Sequence, residues 1–226
     1  PMSAFDPIFT IETHFWETAK AHTDMKRGEV RELAVDTLRR LYISIPERLL
    51  LSYPFQCSGG MLQRVMIAIA VMFHPALLIA DEPTTSVDIT VHREILQLLL
   101  DLHNRSNTSI LLISHDLRSV TNIVQEINVM YGGYLVERLP AQSVRKNRAF
   151  HPYTVKLLQA RPSFSKNRLT TIPGSPPTLS ERQSGCPFSP RCSEATTECR
   201  AYDMREISCG GNHMVRCAKY LGNTPC

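Results

Sequence analysis

Two acidic residues at the end of an apolar run are the first candidates for chemistry. Leu77-Leu78-Ile79-Ala80 is wholly apolar and stops at Asp81-Glu82-Pro83. Such a run reads as a strand covered on both faces, and a buried parallel strand delivers its last residues to the crevice where open α/β sheets bind ligands. An aspartate there can hold Mg²⁺ beside phosphate groups, and a second acid beside it can orient and activate an attacking water. A solvated acidic turn explains the same six residues equally well.

Two further clusters have the same double character. In Cys57-Ser58-Gly59-Gly60-Met61-Leu62-Gln63-Arg64, two glycines at a helix start leave backbone N–H groups open to an anion, with the helix dipole in support. A plain capped helix in a tight turn has the same pattern. Ile113-Ser114-His115-Asp116 ends a second apolar run; its histidine can reach a phosphate and an attacking water, or can be a satisfied surface residue.

The cysteines form the fourth group. Cys57 stands alone, while Cys186, Cys192, Cys199, Cys209, Cys217 and Cys226 crowd into the last part of the chain. An odd total of seven and this one-sided distribution fit a disulfide scaffold poorly and point to metal or cluster ligation. There is no C-x-x-C knuckle, which disfavours a zinc ribbon, and four thiolates can instead hold an iron–sulfur cluster.

These groups need elements to position them. Residues 11–42 carry apolar side chains at helical spacing without a proline, which predicts one helix. Ser58 caps a second helix that ends at His74-Pro75, and a third fits Val91 to His103. Ser109 to Ser114 reads as another buried strand, and Gly132-Gly133 between Ile127–Tyr131 and Tyr134–Glu137 signals a hairpin. Strands alternating with helices predict a mainly parallel α/β sheet. After Ala160, Pro162, Pro173, Pro176 and Pro177 among serines and threonines suit a linker.

Composition sets outer bounds. With 43% hydrophobic and 20% charged residues the chain can bury a core, and a net charge of +4 does not require nucleic acid as a partner. No apolar run approaches the roughly 18–20 residues that cross a bilayer, and the N-terminus lacks the pattern of a secretory signal.

Taken in order, the motifs resemble the ATP-binding subunits of ABC transporters. Ser58 to Gln63 looks like that family's signature motif, Leu77 to Glu82 like its Walker B, Ser86 to Asp88 like its D-loop and His115 like its switch histidine. Pro1 to Pro7, Tyr53-Pro54-Phe55, Asp81 to Thr85 and His151-Pro152-Tyr153-Thr154 are similar to the oligopeptide, dipeptide and nickel importer group. Cys57 departs from the leucine that usually opens the signature. No G-x-x-x-x-G-K-[ST] phosphate loop is present, and the chain opens at Pro1 in a stretch that resembles the interior of such a domain.

The resemblance implies a P-loop-type ABC ATPase domain of α/β class, its front part missing, with an α-helical signature subdomain and a cysteine-rich C-terminal extension. It places a partial ATP-binding domain at 1–160, with the helical subdomain at about 8–75 and the Walker B to switch region at 76–137, followed by linker and extension at 161–226. It implies ATP and Mg²⁺ as cofactors, Glu82 as general base and His115 steadying the γ-phosphate. Asp81 would serve Mg²⁺, and Ser58, Gly59, Gly60, Gln63 and Asp88 would contact nucleotide. It further implies a [4Fe–4S] centre on Cys186, Cys192, Cys199 and Cys217, with Cys209 and Cys226 outside the pattern. The implied partners are a second ATPase subunit, two membrane permease subunits and, indirectly, an extracytoplasmic solute-binding protein, at the cytoplasmic face of a bacterial inner membrane. The solute would be a peptide, or nickel or a metal chelate. Without the phosphate loop the chain alone is expected to be catalytically incompetent, as a non-catalytic remnant or a partial sequence of such a subunit. A DNA-repair-type ATPase would share the Ser-Gly-Gly and Asp-Glu elements, but would add heptad inserts or zinc knuckles that are not seen.

Overall fold

The structure, a computed structural model, describes residues 4–85, 88–106, 108–160, 172–178 and 184–222. Ser86 and Val87 of the D-loop-like stretch, and Cys226, lie outside the described residues. The chain divides into two units, Pro1–Ile123 and Val124–Cys226.

The first unit begins with helices α1 (Ile11–His22) and α2 (Arg27–Arg40), where the spacing predicted one helix over 11–42. The break has a local cause. Thr23 is extended, and its backbone N–H and hydroxyl both donate to the Ala19 carbonyl, which closes α1. The Lys26 N–H then donates to Glu29 Oε2 at 2.6 Å, opening α2 with half of a capping box. Helices α3 (Pro46–Leu50) and α4 (Gly59–Val71) follow. Phe15, Leu38, Leu50 and Leu62 are fully buried in the core of the unit.

Strand β1 (Leu77–Asp81) leads through α5 (Ile89–Arg105) to strand β2 (Ser109–Ile113) and the short α6 (Leu117–Val120). The two strands pair in parallel, from Leu77 opposite Ser109 to Asp81 opposite Ile113. Leu78 and Ala80 point into the core with Ile95, Leu98 and Leu99 of α5. The opposite face is bare: Leu77 is 51% exposed, Ile79 59%, Leu111 48% and Ile113 45%. The expectation of strands covered on both faces is therefore corrected. Within this unit, helices cover one face of β1 and β2 only.

The second unit is built on an antiparallel sheet. β3 (Glu126–Tyr131) and β4 (Tyr134–Pro140) form the hairpin expected around Gly132-Gly133, with a bulge at Val129/Met130. Helices α7 (Ala141–Arg145) and α8 (Pro152–Gln159) follow. Two short strands from the cysteine-rich tail, β5 (Ile207–Ser208) and β6 (Met214–Val215), complete the order β3-β4-β6-β5. Glu137 opposite Val215 and Arg138 opposite Met214 join tail to hairpin. That pairing explains why the division falls after Ile123, ahead of the composition change at Ala160: the tail shares a sheet with β4.

Candidate functional site

The first site stands at the C-terminal ends of β1 and β2. Glu82 follows β1 with φ +47°, a conformation uncommon outside glycine that persists where surrounding contacts over-determine it. Its N–H donates to the Ile113 carbonyl (3.0 Å) and its carbonyl accepts from Thr85 N–H (3.1 Å). The carboxylate then accepts from the His115 backbone N–H (3.0 Å), meets His115 Nδ1 at 2.8 Å and accepts from the Thr85 hydroxyl at 3.2 Å. The parallel register places Glu82 and His115 just beyond a paired position, Asp81 opposite Ile113. Two residues far apart in sequence thus meet because the strands carrying them pair.

Their electrostatics follow. The side-chain hydrogen bond from His115 holds the Glu82 carboxyl below its ordinary value, with Thr85 adding to it. The same bond and the charge of Glu82 push the His115 imidazole up. Both side chains remain open to solvent, so the pair is a positioned charge and not a stabilising core contact. Asp81 is exposed at the end of β1.

The residues of the signature-like stretch divide between packing and availability. Ser58 Oγ accepts from Met61 N–H (3.3 Å), capping α4. A Cβ on Gly60 would lie 2.8 Å from Val91 Cγ1, so glycine here lets α4 approach the start of α5. Gly59 faces open space, where an anion can approach. Gln63 is buried in the helical core. Asp88 caps α5, its Oδ1 accepting from Thr90 and Val91 N–H, each at 2.9 Å.

The second site lies wholly in the second unit. Cys186, Cys192, Cys199 and Cys217 all line one cavity of about 420 Å³, with His151 and Phe188 on its wall. All four thiols are free. Backbone N–H groups face each sulfur: Phe188 and Ser189 at Cys186, Glu194 at Cys192 (3.4 Å), Thr196 at Cys199 (3.5 Å) and Lys219 at Cys217. Burial pushes the thiols of Cys186, Cys192 and Cys217 up, the last to about 11, and the neighbouring sulfurs add to it. Cys209, by contrast, is disulfide-bonded. Among the described residues no three His, Cys, Asp or Glu side chains are grouped so as to hold a metal ion.

Sequence reasoning passed over several residues that build this cavity. Gly185 has φ +85°, and a Cβ there would meet the Cys199 carbonyl oxygen at 2.3 Å. Its absence of a side chain lets Cys186 N–H donate to Cys199 O at 2.8 Å. A glycine directly before a cysteine was the available signal. Glu137, a buried carboxylate on β4, accepts from Phe150 N–H (2.7 Å), His151 N–H (3.2 Å) and His213 Nε2 (2.7 Å), tying hairpin, loop and tail together. Nothing in its local sequence marks it.

Residues 4–85 match the family described as ABC transporter, and residues 136–199 the family described as oligopeptide/dipeptide transporter, C-terminal region. The chain belongs to the ATP-binding subunits of ABC transporters, in their oligopeptide/dipeptide branch. It is 42% identical over 203 residues to the dipeptide transport ATP-binding protein DppD of Escherichia coli (strain K12), covering 89% of this chain and 62% of that one. It is 40% identical over 222 residues to the oligopeptide transport ATP-binding protein AppD of Bacillus subtilis (strain 168), covering 97% and 67%. The chain thus spans a little under two thirds of the E. coli relative. Among solved structures, a dimeric ATP-binding cassette in a post-hydrolysis state with ADP and phosphate matches at TM-score 0.52 and 25% identity, over 60% of this chain and 58% of that one. A metal-chelate-type ABC transporter matches at TM-score 0.54 and 20% identity, over 62% and 56%, a likeness of fold alone. Among the described residues no helix is long and apolar enough to cross a membrane.

Proposed function

We propose that this chain carries the hydrolytic carboxylate and the signature surface of an ATPase subunit that drives peptide import through a membrane permease. The observation that carries the reading is the meeting of Glu82 and His115 at the ends of two parallel strands. Peptides are favoured over nickel or metal chelates because the relatives matched over most of the chain are named for peptide transport. The subunit would work as one of a pair, peripheral at the cytoplasmic membrane face, with Ser58, Gly59 and Gly60 turned to a nucleotide held by its partner.

In this reading Asp81 holds Mg²⁺, which neutralises phosphate charge when bound. Glu82 is the base that takes a proton from the attacking water. The three hydrogen bonds that hold its carboxylate, from the His115 N–H, the His115 ring and the Thr85 hydroxyl, leave one of its roughly four acceptor sites for a water. His115, once released from Glu82, is the group free to turn to a phosphate. Asp88 and Gln63, which the resemblance has contacting nucleotide, are engaged otherwise here: Asp88 caps α5 and Gln63 is buried.

What supports an iron–sulfur cluster is the donor set, four free thiols lining one cavity, although among the described residues they are not drawn together as a metal site. A single tetrahedral ion needs its sulfurs drawn to about 2.3 Å. Four free thiols around a cavity of about 420 Å³, each with a backbone donor that offsets part of the burial disfavouring thiolate, could each offer one sulfur ligand to a body larger than a single ion. Such a cluster would tie the tail into one conformation.

The test for the hydrolytic role joins this sequence to a phosphate-binding loop. Glu82→Gln is expected to lower ATP hydrolysis by about 10²–10⁴-fold while ATP binding persists. Loss of ATP affinity instead would make Glu82 a binding residue. For the tail, anaerobically prepared protein is expected to contain iron and sulfide in comparable amounts. Each of Cys186→Ser, Cys192→Ser, Cys199→Ser and Cys217→Ser should remove the visible absorption. One equivalent of zinc without iron overturns that assignment.

A further inference from the structure

His151 lies on the wall of the cysteine cavity, and its ring orientation is set from several directions. It precedes Pro152 at the start of α8, and its Nδ1 accepts from Tyr153 N–H at 3.1 Å. Its own N–H and that of Phe150 are both held by the buried carboxylate of Glu137. Phe188, itself fully buried, has its ring 6.0 Å from the imidazole.

A ring nitrogen that accepts a hydrogen bond carries no proton, so the imidazole proton sits on Nε2. Nε2 lies 4.0 Å from Cys186 Sγ, at the outer reach of an N–H···S contact. Cys192, Cys199 and Cys217 are faced by backbone donors, with the exposed Thr196 hydroxyl also 3.7 Å from Cys199 Sγ, whereas the side chain set against Cys186 is a buried one. Capping alone does not explain the choice of residue. Asparagine, aspartate or serine caps a helix at least as well, and histidine adds a buried polar nitrogen that must find a partner.

We propose that His151 is a positioning residue for the metal centre: its Nε2–H donates to the Cys186 sulfur, fixing that ligand and stabilising the more electron-rich state of the cluster. The inference rests on the four-cysteine reading above. Its physical basis is general. A hydrogen bond to a ligating sulfur disperses the negative charge that reduction adds, so it raises the reduction potential, and such outer partners also hold the ligand in place. Nothing in it requires the cluster to cycle during transport.

The experiment uses the 226-residue chain, isolated anaerobically or reconstituted with ferrous iron and sulfide. Iron and sulfide content are measured first, then the midpoint potential against dithionite, for the wild type and for His151→Asn and His151→Gln. Asparagine keeps a capping oxygen but cannot reach the sulfur. It is expected to load with iron and sulfide yet shift the reduction equilibrium about fivefold toward the oxidised form, the counterpart of one net hydrogen bond. Glutamine, with a longer amide donor, should recover part of the shift. Should His151→Asn fail to load, the wild type still decides: with ¹⁵N-histidine, the reduced cluster should show coupling to a histidine nitrogen in pulsed electron paramagnetic resonance. A loaded His151→Asn with an unchanged midpoint, or a wild-type cluster without histidine coupling, overturns the role of His151 and leaves the cluster standing. Wild-type protein without iron and sulfide overturns both.

Discussion

The two candidate sites differ in where their chemistry is finished. The cysteine cavity is assembled within one unit: its thiols are half-buried or buried, each has backbone donors, and a buried glutamate anchors the loop that carries its histidine. The Glu82–His115 site is open. Its side chains face solvent, and the strands that present it leave Leu77, Ile79, Leu111 and Ile113 about half exposed on one face. A chain segment can close a cysteine-lined cavity from its own loops. The phosphate-transfer role proposed for the Glu82–His115 pair would need charges and backbone groups from several elements, of which a carboxylate, a histidine and a helix start are described here.

The comparison can be broken most forcefully at the sheet. Leu78 is buried, and Leu78→Ala is expected to cost about 2–5 kcal/mol. Ile79→Ala, one residue along on the bare face, should cost less than about 1 kcal/mol, since little area leaves contact. Equal costs in urea denaturation would mean that the outer face is covered in solution and that the site is less open than it is drawn.

The cavity has its own sensitive point. Gly185→Ala combines a left-handed backbone with a Cβ pressed against the Cys199 carbonyl, and about 2–3 kcal/mol of local destabilisation is expected. Thiol reactivity should rise at Cys186 and Cys199 together, because the Cys186 N–H bond to Cys199 O is what closes that loop. Unchanged labelling rates at both would show that the loop does not depend on this glycine.

A smaller effect separates the two glycines of the signature-like stretch. Gly60→Ala should destabilise the first unit by about 1–2 kcal/mol through the clash with the stiff Val91 side chain. Gly59→Ala, with open space around it, should be neutral within about 0.5 kcal/mol. Val91→Ala combined with Gly60→Ala should recover part of the loss, and additive costs would place the strain elsewhere.

The smallest effect is a titration. His115 is raised by Glu82, so Glu82→Gln should lower the His115 midpoint toward the ordinary 6.5. Glu82 is lowered by His115, so His115→Ala should raise the Glu82 midpoint toward 4.5. The signs fix a window. The histidine's share of the attraction is complete below its ordinary pKa and fades as pH rises through the raised one. The glutamate's share is complete above its ordinary pKa and fades as pH falls through the lowered one. The ion pair is therefore strongest between these two ordinary values, and chemical shifts of the His115 ring across that range report it. An unmoved His115 midpoint in Glu82→Gln would separate the two side chains in solution.

Much of this was legible from residue order alone, and the reason is locality. Helix starts at Ser58 and Asp88, the Gly132-Gly133 hairpin and the apolar runs that became β1 and β2 are decided by caps, turn residues and short-range patterning. The four cysteines that the resemblance singles out line one cavity, but that selection came from the resemblance and not from local pattern. Other features needed partners distant in the chain. Only the pairing of β1 with β2 puts His115 against Glu82, and only the covering of one sheet face distinguishes Leu78 from Ile79 within a uniformly apolar run. The break after His22 escaped because a threonine hydroxyl and a glutamate reaching back to its own helix start outweigh an unbroken helical pattern. Glu137 was hidden for a deeper reason. A buried polar side chain is defined by what satisfies it, and the groups that do so here, the amides of Phe150 and His151 and the ring of His213, are between 13 and 76 residues away in sequence.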